Sequence, residues 1–333
     1  MIMKKAAAIF LLLAVLFSFA ACTPSEKTAM GFSMGSDYYV NYTHSSDLDR
    51  EISALLSSIE ESFSLQREDS LADRIRRAEK GEALLLTPVE CEVLSRVFSI
   101  AEASEYAFDP ALFPLVSAWG FDPPFAMNGE VPPSADKITE AREVSRCGDF
   151  ALDTDSSVLR KEKSSAALDF GGAIKGYAAE RVRDLLIEKK ADSALVYIGG
   201  TIAAVGRSYE IGVTPPRDSE ESYAMRFTLQ KREICATSGD YERYYLLDGK
   251  RYHHIIDGST GYPADSGIIS ATVICEDGLM ADALATAVVV LGKEKGLLLL
   301  ERCGAKGILI TSDKKVVTIG VSVTIKDKSY EIF

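Results

Sequence analysis

The stretch LMADALATAVVVLG begins at Leu279. It sets Asp282 and Thr286 at i and i+4, on one face of an otherwise apolar helix. A carboxylate among Ala, Leu and Val is costly to bury without a partner. Two oxygens on one helix face suit a hard cation such as Mg²⁺, with backbone carbonyls and substrate phosphates filling the rest of its shell. The alternative is an acid favoured by the dipole at a helix start. Asp277 already stands in the N-cap place, which leaves Asp282 redundant in that role.

Two further stretches carry candidate chemistry. In ALDFGGAIKGYAAERVRDLLIEK an apolar strand is expected to end at Asp169. Gly171 and Gly172 then make a tight turn into a helix. Such a turn presents free N–H groups, and Lys175 adds positive charge, a combination that suits a phosphate. It has neither the G-x-x-x-x-G-K-[ST] nor the G-x-G-x-x-G spacing, and a tight structural connection reads equally well. The second stretch, HHIIDGSTGYP, holds two of the chain's three histidines. His254 with Asp257 three residues on has the makings of a general base. A histidine hydrogen-bonded to a loop is the structural alternative.

The elements that must position these residues follow from periodicity. SDYYVNYT from Ser36 reads as a strand, followed by a helix capped at Ser46 or Asp47 with Ile52, Leu55, Leu56 and Ile59 at helical spacing. A second helix starts at Thr87 with Pro88 in its first turn. Asp122–Asp136 is a proline-rich loop. Strands are expected near 150–152, 166–169, 195–198, 202–205, 209–213, 251–256 and 268–275. The Asp282 helix, another helix near 293–302 and closing strands from Gly307 complete the chain. The class is α+β, with mixed, mainly antiparallel sheets, packed helices and a central cleft.

The 333 residues are 47% hydrophobic and 26% charged, ample for a core, and the net charge of −12 argues against nucleic acid as the main partner. Lys4 and Lys5 precede an apolar run too short to span a membrane comfortably, which ends in FSFAAC. This reads as a lipoprotein signal over residues 1–21 with lipidation at Cys22; an ordinary secretory signal cut near Cys22 is the alternative. A tether over 22–33 and one domain over 34–333 follow. The expected location is extracytoplasmic, anchored to a bacterial membrane at the periplasmic face of the inner membrane. Cys91, Cys147, Cys235, Cys275 and Cys303 are far apart and form no C-x-x-C pair, so a metal or disulfide framework is not indicated.

Six pieces in order resemble the FAD:protein FMN transferase (ApbE) family: FDPALFPLVSAWGF from Phe108, LDFGGAIKGYA from Leu168, YIGGTI from Tyr197, ATSGDYER from Ala236, HIIDGSTGYP from His254 and ADALATA from Ala281. With MGS at Met34 they cover most of the mature chain. The resemblance implies an ApbE-like, T-fold-related enzyme. It would bind FAD with Mg²⁺, split the pyrophosphate, transfer FMN to a Thr or Ser of a membrane redox subunit and release AMP. Carried over by motif, Met34 and Trp119, Gly120 and Phe121 contact the flavin nucleotide, Asp169 hydrogen-bonds it and Lys175 faces the phosphates. Asp282, Thr286 and a carbonyl near Gly172 ligate Mg²⁺, and His254 is the base for the acceptor hydroxyl. Gln66 stands where the family often has an aromatic, and Thr201 where an acid is commoner. The loss of a stacking ring at Gln66 keeps open an FAD pyrophosphatase yielding FMN and AMP. A non-catalytic FAD-binding lipoprotein is a third reading.

Overall fold

A computed structural model describes residues 24–122 and 132–333; the leader, Cys22 and most of the proline-rich loop lie outside the described residues. In chain order, β1 (Ser25–Ser33) and β2 (Ser36–His44) form a hairpin. Next come α1 (Asp49–Phe63), α2 (Leu71–Arg77), β3 (Ala83–Leu85), α3 (Pro88–Ala103), α4 (Phe113–Ala118) and α5 (Ala135–Glu143). Then β4 (Phe150–Asp153), β5 (Val158–Lys161), α6 (Ile174–Glu188), β6 (Ser193–Ile198), β7 (Thr201–Val205), β8 (Tyr209–Val213), β9 (Met225–Leu229) and β10 (Ile234–Gly239) follow. The rest is β11 (Tyr244–Leu247), β12 (Lys250–His253), β13 (Ile256–Asp257), β14 (Tyr262–Pro263), β15 (Ile268–Cys275), α7 (Gly278–Arg302), β16 (Lys306–Thr311), β17 (Lys315–Ile319), β18 (Thr324–Ile325) and β19 (Glu331–Ile332).

Nine strands form the main sheet in the order β1-β2-β6-β7-β10-β15-β16-β17-β19, antiparallel except for the β17–β19 pair. Its two faces are covered differently, and the period-2 alternation of strand side chains sorts residues between them. Val40, Val196, Ala203, Val273 and Leu309 face α1, α6 and α7 in one core. Their neighbours Ala204, Ile274, Ile308 and Ile310 face a second core under the three-stranded sheet β18-β9-β8. Strand β15 lies between both cores, so Ile268–Ile274 is buried throughout, Ser270 and Thr272 included.

The expected α+β class and mainly antiparallel pairing are what form. Thr87 and Glu90 make the reciprocal capping box that starts α3, with Pro88 in its first turn. Several boundaries differ from expectation. Most of the stretch read as a tether is β1, paired along its full length from Ser25 opposite His44 to Ser33 opposite Ser36. Only Ala29 and Ser33 of it are buried, so its pattern carried little strand signal. Residues 166–169 form no strand; the Asp169 N–H donates to the Pro110 carbonyl instead of to a ladder. Helix α1 starts at Asp49 with Leu48 at its cap, while Asp47 accepts from the Asp49 N–H. The two C-terminal helices run on as one element bent at Gly292, whose φ of 78° and ψ of −177° only glycine adopts readily. There the Ser266 hydroxyl takes up the Val289 carbonyl.

Helices α6 and α7 cross at their N-terminal ends, backbone against backbone. A methyl group at Gly176 would lie 2.0 Å from the Gly278 carbonyl oxygen, and one at Gly278 would lie 2.2 Å from that of Gly176. Gly176→Ala must therefore force the helices apart, and we expect a loss of about 3 kcal/mol. Gly148→Ala, where nothing lies within 4 Å, should stay within about 0.5 kcal/mol of the parent. Urea unfolding midpoints at unchanged m-value check both.

Candidate active site

The helix crossing opens onto a cavity of about 830 Å³, within the range of small-molecule sites. Its walls come from segments remote in sequence: Met34 and Ser36 of the first hairpin, Glu60 and Phe63 of α1, Gln66 beyond it, and Phe108–Pro110. The Asp169–Lys175 turn, Ser238, the 242–244 segment, the 254–256 segment, and Asp282 and Thr286 of α7 complete them. It lies where the helix layer meets the C-terminal end of β10.

Asp282 is 4% exposed, and its Oδ2 accepts the Gly176 N–H at 3.0 Å. That N–H belongs to the first turn of α6, where Ala173 provides no side-chain cap. Asp282 thus caps the neighbouring helix from α7. The relation is reciprocal, because Glu180 of α6 accepts the Gly278 N–H of α7 at 2.8 Å. Arg96 ties the pair together with 2.8 Å contacts to both Glu180 and Asp277, and Asp277 itself caps α7 through the Met280 N–H. Among the described residues no donor reaches Asp282 Oδ1, and Asp282 has no Lys or Arg partner. One turn on, Thr286 Oγ1 lies 3.0 Å from the Ser238 hydroxyl, and a methyl at Gly172 would come within 3.6 Å of it. Asp282, Thr286 and Ser238 therefore bring side-chain oxygens to a corner beside Gly172, with the Phe108 ring packed against that glycine. Among the described residues no three His, Cys, Asp or Glu side chains group as a metal cage, so a cation here must take further oxygens from a ligand.

Opposed charges set the cavity's electrostatics. Desolvation pushes the Asp169 carboxyl up, opposed by the Gly171 N–H at 2.7 Å and by the Arg243 and Lys175 charges. Glu242 is raised by desolvation and by the Asp282 charge, against Lys175 and Arg243. The Lys175 ammonium donates to the Gly171 carbonyl at 2.9 Å, across the glycine turn. His254 is depressed to about 3 by desolvation, then by Arg243, His253 and Lys175. Its Nδ1 lies 3.3 Å from the Arg243 carbonyl, which accepts only a proton on that nitrogen. The contact fixes the tautomer and leaves Nε2 with a lone pair. Its neighbour His253 turns away, with Nε2 held 2.9 Å from the Ala264 carbonyl.

The fold brings Met34, Gln66, Phe121, Asp169, Gly172, Lys175, His254, Asp282 and Thr286 to this cavity. Trp119, Gly120, Asp257 and Thr201 lie elsewhere. Trp119 is 1% exposed, donates from Nε1 to the Gly261 carbonyl at 2.8 Å and stacks on Tyr252 with ring centroids 5.6 Å apart. Gly120, with φ of 73°, reverses the chain so that Phe121 faces the cavity and Trp119 braces the histidine-bearing hairpin from behind. Asp257 holds its own turn, accepting from the Ser259 N–H and hydroxyl at 2.8 and 2.7 Å. It does not line the cavity with His254. Thr201 is 1% exposed within the sheet, paired with Ile198 and Ala236. Ser238, Glu242 and Arg243 also line the cavity; all three fall within ATSGDYER, whose spacing by itself names no chemistry for them.

With its pKa held near 3, the His254 ring of the ligand-free protein stays neutral as pH falls from 8 to 5. The unfolded chain takes up that proton near pH 6.5, so the stability carried by a neutral His254 is complete above 6.5 and is lost progressively as pH falls towards 3. Imidazole ¹⁵N shifts of His254 should show no titration between pH 8 and 5, whereas an apparent pKa above 5.5 would contradict this environment.

Residues 34–309 match the sequence pattern of the ApbE family. Among curated relatives, the FAD:protein FMN transferase of Treponema pallidum is 33% identical over 290 residues, 80% of this chain and 77% of that protein. Among solved structures, the flavinyl transferase ApbE of Pseudomonas stutzeri in its apo form superposes with a TM-score of 0.76 at 31% identity, covering 91% of this chain and 95% of that one. The ApbE protein of Thermotoga maritima gives a TM-score of 0.78 at 29% identity, covering 91% and 98%. With the match spanning most of its length and the fold shared along with it, the chain belongs to the ApbE family.

Proposed function

We propose that this chain is a Mg²⁺-dependent FAD:protein FMN transferase. It cleaves the FAD pyrophosphate, joins FMN by a phosphodiester to a Thr or Ser of a partner redox protein, and releases AMP. The observation that carries this reading is Asp282: a buried carboxylate with one oxygen fixed by the Gly176 N–H and, among the described residues, no donor on the other, in a cavity of about 830 Å³. We further propose that the mature protein begins at a lipidated Cys22 and works at an extracytoplasmic membrane face, where membrane redox subunits supply the acceptor.

The donors present fit a magnesium ion. Asp282, Thr286 and the Gly172 carbonyl would hold it, and phosphate oxygens of FAD would complete an oxygen shell that this corner lacks. A magnesium ion held there would supply charge neutralisation at the phosphate oxygens, a main source of rate in phosphoryl transfer. The chain's own groups do the rest. Lys175 and the Gly172 N–H hold the diphosphate, since the Gly171 N–H is taken by Asp169 and those of Ala173 and Ile174 by the Phe170 carbonyl. His254 Nε2 accepts the proton of the acceptor hydroxyl as its oxygen bonds to the FMN phosphorus. The bond from that phosphorus to the bridging oxygen breaks, and AMP departs with the electron pair. Bound diphosphate places negative charge near His254, which raises its pKa from the low ligand-free value towards a useful base. Phe121, stacked on Tyr245 with centroids 5.5 Å apart, offers an apolar wall. Gln66 lies at the exposed rim and offers no ring for stacking.

The test combines the fragment from Thr23 with FAD, Mg²⁺ and a flavin-carrying redox-subunit domain that a family enzyme is known to modify. AMP release with an FMN-sized mass gain on the acceptor is expected; AMP with free FMN and unmodified acceptor would instead identify a pyrophosphatase. Chelation of Mg²⁺ should stop turnover. Asp282→Asn should lower kcat by about 10²–10³-fold, and His254→Ala by about 10²–10⁴-fold with little change in FAD affinity. Full activity in Asp282→Asn would remove the metal assignment.

A further inference from the structure

The small sheet β18-β9-β8 covers only part of the main sheet's second face. Strands β1 and β2 project beyond it, and β6 lies at its margin, with Leu195 packed against the second core. Across them runs one row of directly opposed side chains, in register: Met30 faces Tyr39, Tyr39 faces Tyr197, Tyr197 faces Ile202, and Ile202 faces Cys235. The row climbs out of the second core towards the sheet's edge. Cys235 is 2% exposed, Tyr197 38%, Tyr39 45% and Met30 65%. Phe32, two residues along β1 on the same face, is 70% exposed. Tyr39 and Tyr197 are in contact, with ring centroids 6.1 Å apart. Uncovered apolar rows of this kind mark interaction surfaces, and Tyr, Phe and Met are the side chains that interfaces favour.

The occupant follows from where the row leads and from its charge. Phe32, Gly35 and Ser36 also line the catalytic cavity. A second cavity of about 530 Å³, lined by Tyr39, Tyr197, Ile202 and Cys235, shares Gly35, Ser36, Gly199, Thr237, Glu242 and Arg243 with it. The row therefore ends at the mouth of the reaction site. The other outward positions of β1 and β2 are Glu26, Thr28, Asp37, Asn41 and Thr43, with no lysine or arginine. An anionic lipid surface recruits basic groups, so this face does not suit one. A reaction that puts a nucleotide on a protein hydroxyl needs a protein-sized surface beside its cavity.

We infer that the Met30–Tyr39–Tyr197 face, with the adjoining second cavity, docks the acceptor protein and feeds its Thr- or Ser-bearing segment past Ser36 into the catalytic cavity. The partner surface it fits is apolar where it meets the Met30–Tyr39–Tyr197 row and carries no acidic group opposite Glu26 and Asp37. This inference rests on the transferase reading above.

Two independent variants test it, Met30→Glu and the double variant Tyr39→Ser/Tyr197→Ser. Each changes side chains that do not line the catalytic cavity. The quantities to measure are FAD affinity, acceptor-free AMP release, and KM and kcat for the redox-subunit acceptor domain. Each variant should raise the acceptor KM about tenfold or more, with FAD affinity, acceptor-free AMP release and saturating kcat unchanged. Wild-type KM in both variants would overturn the docking assignment while leaving the transferase reading intact. If KM stays unchanged while the variants lose self-association or vesicle binding seen in the parent, the face serves a second copy or a membrane, and the assignment also falls. Absence of FMN transfer by the unmodified protein would overturn the functional reading and this assignment with it.

Discussion

Two glycines let α6 and α7 cross with no side chain between them, and that contact organises the site. Gly176 and Gly278 each lie where a single methyl would clash with the other's carbonyl. At such close range the helix N-termini cannot be capped by water, so each is capped by a carboxylate from its neighbour: Asp282 for α6 and Glu180 for α7. Arg96 bridges Glu180 to Asp277 and fixes the arrangement. Asp282 owes its position to this exchange. Its carboxylate is structural on one side and open on the other, so the group that holds the helices together also presents an oxygen to the cavity.

The same geometry explains why a buried acid is tolerated there. Among the described residues Asp282 has no cationic side chain for a partner, but it sits at the positive end of α6 and accepts a backbone N–H. Lys175, one residue earlier on that helix, reaches back to the Gly171 carbonyl and supplies positive charge over the glycine turn. Asp169, Glu242 and His254 all feel Lys175 and Arg243, and all three are shifted by desolvation first. The cavity is thus a place where cations, a neutral imidazole and partly desolvated acids coexist at short range, an arrangement suited to a polyanionic ligand with a hard cation.

The main sheet has a double role. Its helix-facing side supports the site through β10, which carries Ser238 against Thr286, and through β15 beneath α7. Its other side is covered by a small second sheet only in part, and the hairpin that lines the catalytic mouth at Phe32, Gly35 and Ser36 lies outside that cover. Half-buried and exposed aromatic residues therefore adjoin the reaction cavity on a rigid antiparallel frame.

The sequence by itself determined the local starts and the motif chemistry. Thr87-Pro88-x-Glu90 names a helix start because its hydrogen bonds close within four residues, and Asp277 caps α7 for the same reason. The i, i+4 pair of Asp282 and Thr286 shares a face because helix geometry dictates it. The α+β class followed from alternation and turn residues that act at short range. What depends on distant partners was decided only by the tertiary structure. Strand β1 has little apolar alternation and exists because β2 pairs with it. Residues 166–169 are apolar enough for a strand but find a loop carbonyl instead of a ladder. Trp119 was separated from the cavity by one reversed residue, Gly120, and Asp257 from His254 by the pull of its own turn. The partner of Asp282 is 106 residues away at Gly176, and no local pattern encodes a hydrogen bond across two helices.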